Sequence, residues 1–362
     1  MIDSLQVKNF RCFRDLSLDG FGTVNVIVGD NASGKTALLE SIFLVQAGTP
    51  EIVLRMRTWR SLGSSLAAPS TRAAYEAIWK DLFFQFRQDR PIEISTRGTP
   101  ESTWSLKIFY DPSESSAIPL STTDNVSGTI NVQKSDLSWT LPITFEHTDT
   151  NKKQVFKPVF SFPQGLVLGG GTPNVVPCAF FSSSFAAVVM PSEIANQFSE
   201  LDKKNKTRPV LKAIKRLYPR IMSLSVQTES GTPLLFCEPK GLSEKVPIAV
   251  ESAGTHKLTA ILLGIATQPN GIVMIDEIEN GFYYQKFSGV WQALLDFCNQ
   301  FNVQVFASTH SRECLEAIQP VLKKHEEEFR LIRAERKDRD RLVKLFRGDE
   351  FEAAVKTGIE FR

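Results

Sequence analysis

The sequence predicts an α/β fold with a central parallel sheet, and three short stretches carry that prediction. Residues 24–28, 272–275 and 303–307 are runs of mostly branched apolar residues. Such runs are typical of strands buried on both faces, as in parallel sheets. Polar residues follow each run directly. Because ligands of open α/β sheets bind beyond the carboxyl ends of the strands, we expect a binding site where these stretches end.

The octet after the first stretch fits a phosphate-binding loop. Residues 29–36 read GDNASGKT, which meets the pattern G-x-x-x-x-G-K-[ST]. Glycines let the backbone N–H groups converge on phosphate oxygens, Lys35 reaches the β- and γ-phosphates, and the Thr36 hydroxyl ligates Mg²⁺. An apolar helix face follows, and the start of a helix favours anions. The sequence therefore predicts that ATP and Mg²⁺ bind at Gly29, Asn31, Ala32, Ser33, Gly34, Lys35 and Thr36.

Two acidic residues end the second stretch. We expect Asp276 to hold Mg²⁺ through a water beside Thr36, and Glu277 to polarise the attacking water as a general base. Strand ends often carry acidic residues, so the pair alone is a weak signal. Its combination with a phosphate-binding loop makes it a strong one.

The third stretch is followed by Ser308-Thr309-His310-Ser311. A histidine at the carboxyl end of such a strand faces the ligand crevice. We expect His310 to contact the γ-phosphate and to take part in hydrolysis. The alternative is a surface histidine ahead of an ordinary helix that Ser311 caps.

A helix start lies upstream of the second stretch. Residues 251–257 read ESAGTHK, and apolar residues follow at helical spacing. Ser252 is a candidate N-cap, and Gly254 would let a ligand come close to a helix end that binds anions. An ordinary capped helix is the alternative.

The four motifs follow one another along the chain with residues 251–257 second, between the phosphate-binding loop and the acidic strand end. In that order they resemble those of an ABC-type ATPase head of the RecF/SMC branch, where residues 251–257 are the signature motif. Residues 5–13 look like the first strand of that branch. Closest is the group related to the overcoming-lysogenization-defect (OLD) ATPases, also called AAA-15 or AAA-21 proteins. Glu279-Asn280-Gly281 and residues 217–221 are typical of that group.

The resemblance implies an ABC-type head in which ATP lies between two copies of the chain. One copy would supply the phosphate-binding loop and Glu277, and the other Ser252 and Gly254. It also implies that Arg11 contacts the nucleotide. Gln85 is the best candidate for the Gln-loop glutamine, a further Mg²⁺ ligand.

The middle of the chain differs from both ends. Residues 91–165 hold short alternating runs with polar turns between them, which predicts an antiparallel sheet. We expect an N-terminal ATPase lobe at 1–90, a β-rich insertion at 91–175, and a helical signature subdomain with the C-terminal ATPase lobe at 176–362. A basic helical cluster within the last part fits a nucleic acid, an acidic partner or a solvated helix face. It comprises Lys203, Lys204, Lys206, Arg208, Lys212, Lys215 and Arg216.

Composition narrows the function classes. The formal net charge is only +2 over 362 residues, so no global basic field demands nucleic acid. Five cysteines stand at no metal-ligand spacing, and their odd number suits reduced thiols. No apolar run fits a signal peptide or a membrane span. We expect a soluble, cytoplasmic protein without a membrane partner.

The expected activity is slow, Mg²⁺-dependent ATP hydrolysis with a conformational output. The motifs include no nuclease, protease or kinase constellation. The interpretation we favour is therefore the ATPase and sensor subunit of a bacterial anti-phage system that controls a separately encoded effector. Two alternatives stay open. One is a RecF-like clamp for DNA repair or recombination, with nucleic acid as a partner, and the other is a scaffold that holds ATP with little turnover.

Overall fold

The computed structural model describes residues 1–60, 77–98, 102–111, 117–119, 137–140, 142–150, 152–161, 165–169, 176–183, 190–337 and 340–356. The strands are β1 (Ile2–Phe10), β2 (Phe13–Asp19), β3 (Val24–Val28), β4 (Ile92–Gly98), β5 (Ser102–Tyr110), β6 (Ala117–Pro119), β7 (Leu137–Thr140), β8 (Ile143–Asp149), β9 (Lys152–Ser161), β10 (Gly165–Gly169), β11 (Cys178–Phe181), β12 (Ile221–Glu229), β13 (Thr232–Pro239), β14 (Val246–Pro247), β15 (Ile272–Ile275), β16 (Gln304–Ser308), β17 (Phe329–Lys337) and β18 (Asp340–Arg347). The helices are α1 (Lys35–Ala47), α2 (Glu51–Trp59), α3 (Pro191–Lys203), α4 (Arg208–Leu217), α5 (Ile248–Glu251), α6 (Ala253–Thr267), α7 (Phe287–Phe301), α8 (Arg312–Glu316), α9 (Gln319–Leu322) and α10 (Gly348–Lys356). None of these helices combines the length and the apolar character that a membrane crossing requires.

The central sheet has the strand order β11-β15-β16-β3-β17-β18. Its first five strands are parallel, and β18 returns antiparallel to β17. The three strands predicted from the sequence are β3, β15 and β16, and they are direct neighbours. Their carboxyl ends therefore meet at one edge, as expected for a parallel α/β sheet.

Side chains of the central strands alternate between two hydrophobic cores because successive residues of a strand point to opposite faces. Val273 and Ile275 pack with α6 and α7 on one face. Ile272 and Met274 pack with α1 on the other. Every residue of α1 except Thr36 is buried, so this helix runs through the interior and holds the loop before it in place.

The predicted antiparallel sheet is present, in the order β2-β1-β4-β5-β8-β9-β7-β6, with β10 paired to β9. It covers the side of α1 that faces away from the central sheet. Gln46 Nε2 donates to Thr96 Oγ1 at 2.9 Å, and His147 Nε2 lies 3.0 Å from the Val45 carbonyl oxygen. Burial lowers the pKa of His147, which favours the neutral ring in this contact.

One sheet continues across the expected boundary between residues 1–90 and 91–175. β4 pairs with β1 along most of its length, so both ranges belong to one sheet. They also share one core, in which Ile92 and Phe145 lie with Leu38 of α1. Removing the β-rich part would therefore uncover α1. The stretches 120–136 and 170–175 of this prediction lie outside the described residues.

A helical part precedes β15, as predicted. Helices α3 and α4 carry most of the basic residues of the predicted helical cluster. They pack with α6 and with a three-stranded sheet of order β12-β13-β14. The five cysteines are all free thiols, and three of them are buried.

Candidate nucleotide site

The phosphate-binding loop lies between β3 and α1, at the edge where the central strands end. Lys35 Nζ donates to the carbonyl oxygens of Gly29 at 2.6 Å and Asp30 at 2.8 Å. Gly29 and Gly34 adopt φ angles of 145° and 108°, which disfavour any side chain. A Cβ at Gly34 would also come within 2.9 Å of Cys12 Sγ. Burial lowers the pKa of Lys35, although Asp276 and other acids oppose this.

Thr36 and Asp276 meet as predicted, although they stand far apart in the chain. Thr36 Oγ1 donates to Asp276 Oδ2 at 3.0 Å. On the other side, Ser308 Oγ donates to Asp276 Oδ1 at 2.6 Å and accepts from the Glu277 N–H at 2.8 Å. Burial raises the pKa of Asp276, while the bonds from Ser308 and Thr36 oppose that rise. The sequence analysis did not identify Ser308 as a site residue.

The oxygen donors of this pair fit Mg²⁺. Proteins bind Mg²⁺ through one or two carboxylates together with phosphates of the substrate, and the ion keeps several waters. Thr36 and Asp276 offer a hydroxyl and a carboxylate side by side, next to the loop that would hold the phosphates. Among the residues that the structure describes, no group of three His, Cys, Asp or Glu could hold a metal. A hydroxyl and a single carboxylate suit an ion that takes its other ligands from phosphates and water.

Glu277 leaves the strand in a strained conformation. Its φ angle is 50°, a left-handed value that costs energy for a residue with a side chain. Asn280 Nδ2 donates to its Oε2 at 2.7 Å, and the carboxylate is 34% exposed. The turn carries the side chain out of the sheet, where it lines the cavity of the phosphate-binding loop.

His310 lies beside two carboxylates at the end of β16. Its Nδ1 lies 2.8 Å from Glu279 Oε1 and 3.9 Å from Glu277 Oε1. Its backbone N–H donates to the same Glu279 oxygen at 2.9 Å. Ser311 also caps α8, accepting from the Cys314 N–H at 3.1 Å. The two alternatives for this segment are therefore compatible: Ser311 caps a helix, and His310 still lies beside Glu277. Glu279 orients the histidine.

Lys257 connects the start of α6 to this turn, a role that the sequence analysis did not predict. It is 3% exposed, and its Nζ donates to the Glu277 carbonyl oxygen at 2.8 Å. Burial lowers its pKa to about 8. The only signal in the sequence is a lysine on the inner face of an apolar helix.

Arg11 lines the cavity of the phosphate-binding loop, in a cluster that also contains Arg60. Arg60 donates to both oxygens of Glu40 at 2.6 and 2.9 Å. Arg11 Nε lies 3.2 Å from Glu40, and its Nη1 lies 2.9 Å from Asp81. Arg11 Nη2 is buried and has no hydrogen-bond partner among the described residues. Nothing in the sequence around Arg60 marks it as a site residue.

One cavity of about 350 Å³ gathers most of the predicted residues. It is lined by Arg11, Cys12, Asn31, Ala32, Ser33, Gly34, Lys35, Thr36, Ala37, Arg60, Asp276 and Glu277. Gly29 contributes through its bond to Lys35. Its walls carry both basic and acidic groups, as a site for a nucleotide with Mg²⁺ requires.

Gln85 lies outside this cavity, so the structure does not place it beside Thr36 and Asp276. It is exposed, has a φ angle of 53°, and lines a separate cavity of about 700 Å³. The preceding Phe83 forms a β-bridge with Phe10, which places the segment at the end of β1 rather than at the edge of the central sheet. The residues that follow edge strand β11, next to the strand of Asp276, are Ser182 and Ser183.

Ser252 and Gly254 line neither this cavity nor the one next to it. Ser252 Oγ caps α6 by accepting from the Thr255 N–H at 3.0 Å. A Cβ at Gly254 would come within 2.6 Å of Tyr218 Oη and 2.7 Å of the Gly281 carbonyl oxygen. Internal packing thus accounts for both residues within one chain.

Comparisons with known proteins agree with this geometry. A sequence profile described as AAA domain matches residues 4–217. The ATP/GTP phosphatase of Helicobacter pylori is 25% identical over 360 residues, which cover 89% of each chain. The DNA replication and repair protein RecF of Oenococcus oeni is 46% identical over 44 residues, 12% of each chain.

Among solved structures, the SmcHead bound to the C-winged helix domain of ScpA superposes with a TM-score of 0.52 and 13% identity. The match covers 96% of this chain and 98% of that one, so the predicted fold of an ABC-type ATPase head is confirmed. Because the profile spans more than half of the sequence, from residue 4 to residue 217, the chain belongs to the AAA domain family.

Proposed function

We propose that the chain is a Mg²⁺-dependent ATPase of the RecF/SMC type that acts as a conformational switch in the cytoplasm. The observation that carries this proposal is the contact of Thr36 with Asp276, with Glu277 beside them at the same cavity. When bound, Mg²⁺ would neutralise phosphate charge. Thr36 and Asp276 would hold it, and Lys35 would exchange its two carbonyl partners for β- and γ-phosphate oxygens.

Hydrolysis would then depend on Glu277. A water oxygen attacks the γ-phosphorus while the bond to the β–γ bridging oxygen breaks, and the water proton passes to the Glu277 carboxylate. This residue is held in its strained turn by the bond that its N–H donates to Ser308 and by the bond that its carboxylate accepts from Asn280. His310, oriented by Glu279, would contact the γ-phosphate and respond when it leaves.

A second copy of the chain would complete the site. Three apolar side chains close in sequence to these residues are exposed. Val250, two residues before Ser252, is 72% exposed, and Tyr283 and Tyr284, which follow the Glu277 turn, are 60% and 54% exposed. The two tyrosine rings lie 4.6 Å apart. Neighbouring exposed apolar groups favour a protein–protein contact, and self-association is the commonest form.

The test is phosphate release with Mg²⁺, measured over a range of protein concentrations with ATP and with GTP. GTP is included because the name of the Helicobacter pylori relative covers both nucleotides. We expect specific activity to rise with protein concentration, together with an ATP-dependent increase in mass by mass photometry. A tight ATP-bound assembly without turnover would instead favour the scaffold alternative.

We also propose that the switch controls a separately encoded effector of an anti-phage system, since the motifs resemble those of OLD-related ATPases. The effector would dock on the antiparallel sheet or on the basic surface of α3 and α4. Pull-downs from the native host with wild type, Glu277→Gln and Lys35→Ala test this. We expect one prey, the product of a neighbouring gene, to change with nucleotide state. Identical preys for all three baits contradict the proposal.

A RecF-like clamp is the second candidate, and the cavity that contains Gln85 favours it. Among its lining residues, five are basic and only Asp340 is acidic. The basic residues are Arg14, Arg87, Arg90, Lys337 and Arg341. Arg341 Nε donates to the Ala32 carbonyl oxygen of the phosphate-binding loop at 3.1 Å, which would connect bound nucleic acid to nucleotide state.

Salt-dependent DNA binding tests this candidate. Arg87→Glu with Arg90→Glu should weaken binding and reduce its dependence on salt. Lys203→Glu with Lys204→Glu, in the basic cluster of α3 and α4, is the matched control. If only the control variant loses DNA binding, the DNA site lies on α3 and α4 rather than at this cavity. If wild type does not bind DNA, the clamp proposal is contradicted.

A further inference from the structure

Ser182 stands directly beside the acidic strand end. Edge strand β11 ends at Phe181, which is paired in parallel with Ile275. The Asp276 N–H donates to the Phe181 carbonyl oxygen at 2.8 Å. The next residue on each strand is therefore Ser182 on one and Asp276 on the other, at the same edge of the sheet.

The hydroxyl of Ser182 is buried without a partner. The residue is 3% exposed, and its Oγ makes no hydrogen bond with the described residues. Ser308, on the opposite side of Asp276, is also buried, but its hydroxyl both donates to Asp276 and accepts from the Glu277 N–H. A buried hydroxyl without a bond destabilises a protein, and alanine in its place would avoid that penalty.

The surroundings of Ser182 indicate what its hydroxyl could meet. Together with Ser183 it lines a cavity of about 320 Å³ that also includes Thr36, Asp276 and Glu277. The guanidinium on this wall, Arg60, is already paired with Glu40. Rotation about χ1 to another staggered rotamer would redirect the Ser182 hydroxyl. Mg²⁺ keeps several waters in its shell, and these waters need acceptors.

We propose that Ser182 is a positioning residue for Mg²⁺, whose Oγ accepts a hydrogen bond from a water of the metal shell held between Thr36 and Asp276. This inference rests on the proposed function, since it needs a bound Mg²⁺–nucleotide. It differs from the prediction for Gln85 in residue and in place. A hydroxyl from the neighbouring strand, rather than a glutamine, would complete the Mg²⁺ side of the cavity.

The test uses the full chain in a Glu277→Gln background, so that binding is read without turnover. Calorimetry of ATP binding over a Mg²⁺ titration compares Ser182 with Ser182→Ala and Ser182→Thr. We expect Ser182→Ala to require about 10-fold more Mg²⁺, as for loss of an outer-shell partner, and Ser182→Thr to recover most of the difference. The melting temperature without nucleotide should not fall in Ser182→Ala, because no bond is lost.

Ser308→Ala is the contrasting variant, and it should lower the melting temperature because two bonds are lost. A lower melting temperature in Ser182→Ala with an unchanged Mg²⁺ requirement would overturn the proposal, as would no change in either quantity. A Mg²⁺ effect in Ser183→Ala alone would overturn it too. Failure of wild type to release phosphate would refute the proposed function and leave this binding comparison valid.

Discussion

Two ends of the molecule carry the predicted nucleotide residues, and they differ in how their polar groups are used. At the cavity of the phosphate-binding loop, Thr36, Asp276 and Ser308 come from different strands or helices and bond to one another. At the start of α6, Ser252 bonds only within its own helix turn, and Gly254 packs on its own chain. The first end is assembled from several parts of the chain, while the polar groups of the second are satisfied within one helix turn.

The two ends differ also in unused polar atoms. Arg11 Nη2, Ser33 Oγ and Ser182 Oγ are buried near the phosphate-binding loop without hydrogen-bond partners in the described ranges. Ser252 leaves no such atom. Because buried polar groups normally find partners, these atoms support the proposal that the first end receives a ligand. Under the same proposal, the second end would serve nucleotide by meeting the first end of another copy.

The largest expected effect is at the first end. Lys35→Ala should abolish nucleotide binding, because the β- and γ-phosphates lose their cation. Lys80→Ala, which removes an exposed lysine, is the control and should bind normally. Calorimetry measures both, and unchanged affinity in Lys35→Ala would end the assignment of this cavity to nucleotide.

The next effect separates binding from chemistry. Glu277→Gln should keep ATP binding and lower turnover by about 100-fold or more, in line with loss of a positioned general base. Asp276→Ala should instead weaken Mg²⁺-dependent binding. Phosphate release and calorimetry distinguish the two. Normal turnover in Glu277→Gln would place the base elsewhere, with Glu279 as the next candidate.

A smaller effect is expected at the histidine. His310→Ala should lower turnover by about 10-fold, the range found when an orienting partner is lost. Glu279→Gln should act in the same direction, and the double variant should cost less than the two single effects combined, since the two residues share one contact. If the effects of the two single variants simply add in the double variant, His310 and Glu279 act separately.

The smallest effect is at the second end. Ser252→Ala should lower the free energy of unfolding by about 1 kcal/mol through loss of the cap, with no change in ATP affinity for dilute protein. Ser311→Ala removes the comparable cap of α8 and serves as the control. Weaker ATP binding by dilute Ser252→Ala would show that the start of α6 contacts nucleotide within one copy.

Local patterns predicted the central sheet well, because β3, β15 and β16 are short, apolar and followed by recognisable motifs. The contact of Thr36 with Asp276 followed from the shared edge of parallel strands. The alternation of apolar and polar residues within 91–165 also predicted the antiparallel strands. It did not identify β1 as the partner of β4, because the choice of partner depends on residues far apart in the chain.

The remaining parts of the site depend on contacts that no local pattern encodes. The sequence could not place Gln85, because a glutamine in an apolar run does not reveal which cavity it faces. Ser182 and Ser308 are ordinary serines until the sheet places them on either side of Asp276. Lys257 looked like part of a helix start, although its amine lies buried against the Glu277 carbonyl oxygen.

The most direct test of a site shared between two copies mixes two inactive variants. Lys35→Ala should not bind nucleotide at its phosphate-binding loop. Ser252→Arg should still bind ATP, but its α6 start should be unable to contact the other copy. Each alone should show no turnover. An equal mixture should regain up to about one quarter of the wild-type rate, because random pairing in a symmetric dimer leaves about that fraction of sites intact. No recovery in a mixture that forms dimers, or a monomer whose specific rate is independent of concentration, would contradict the account.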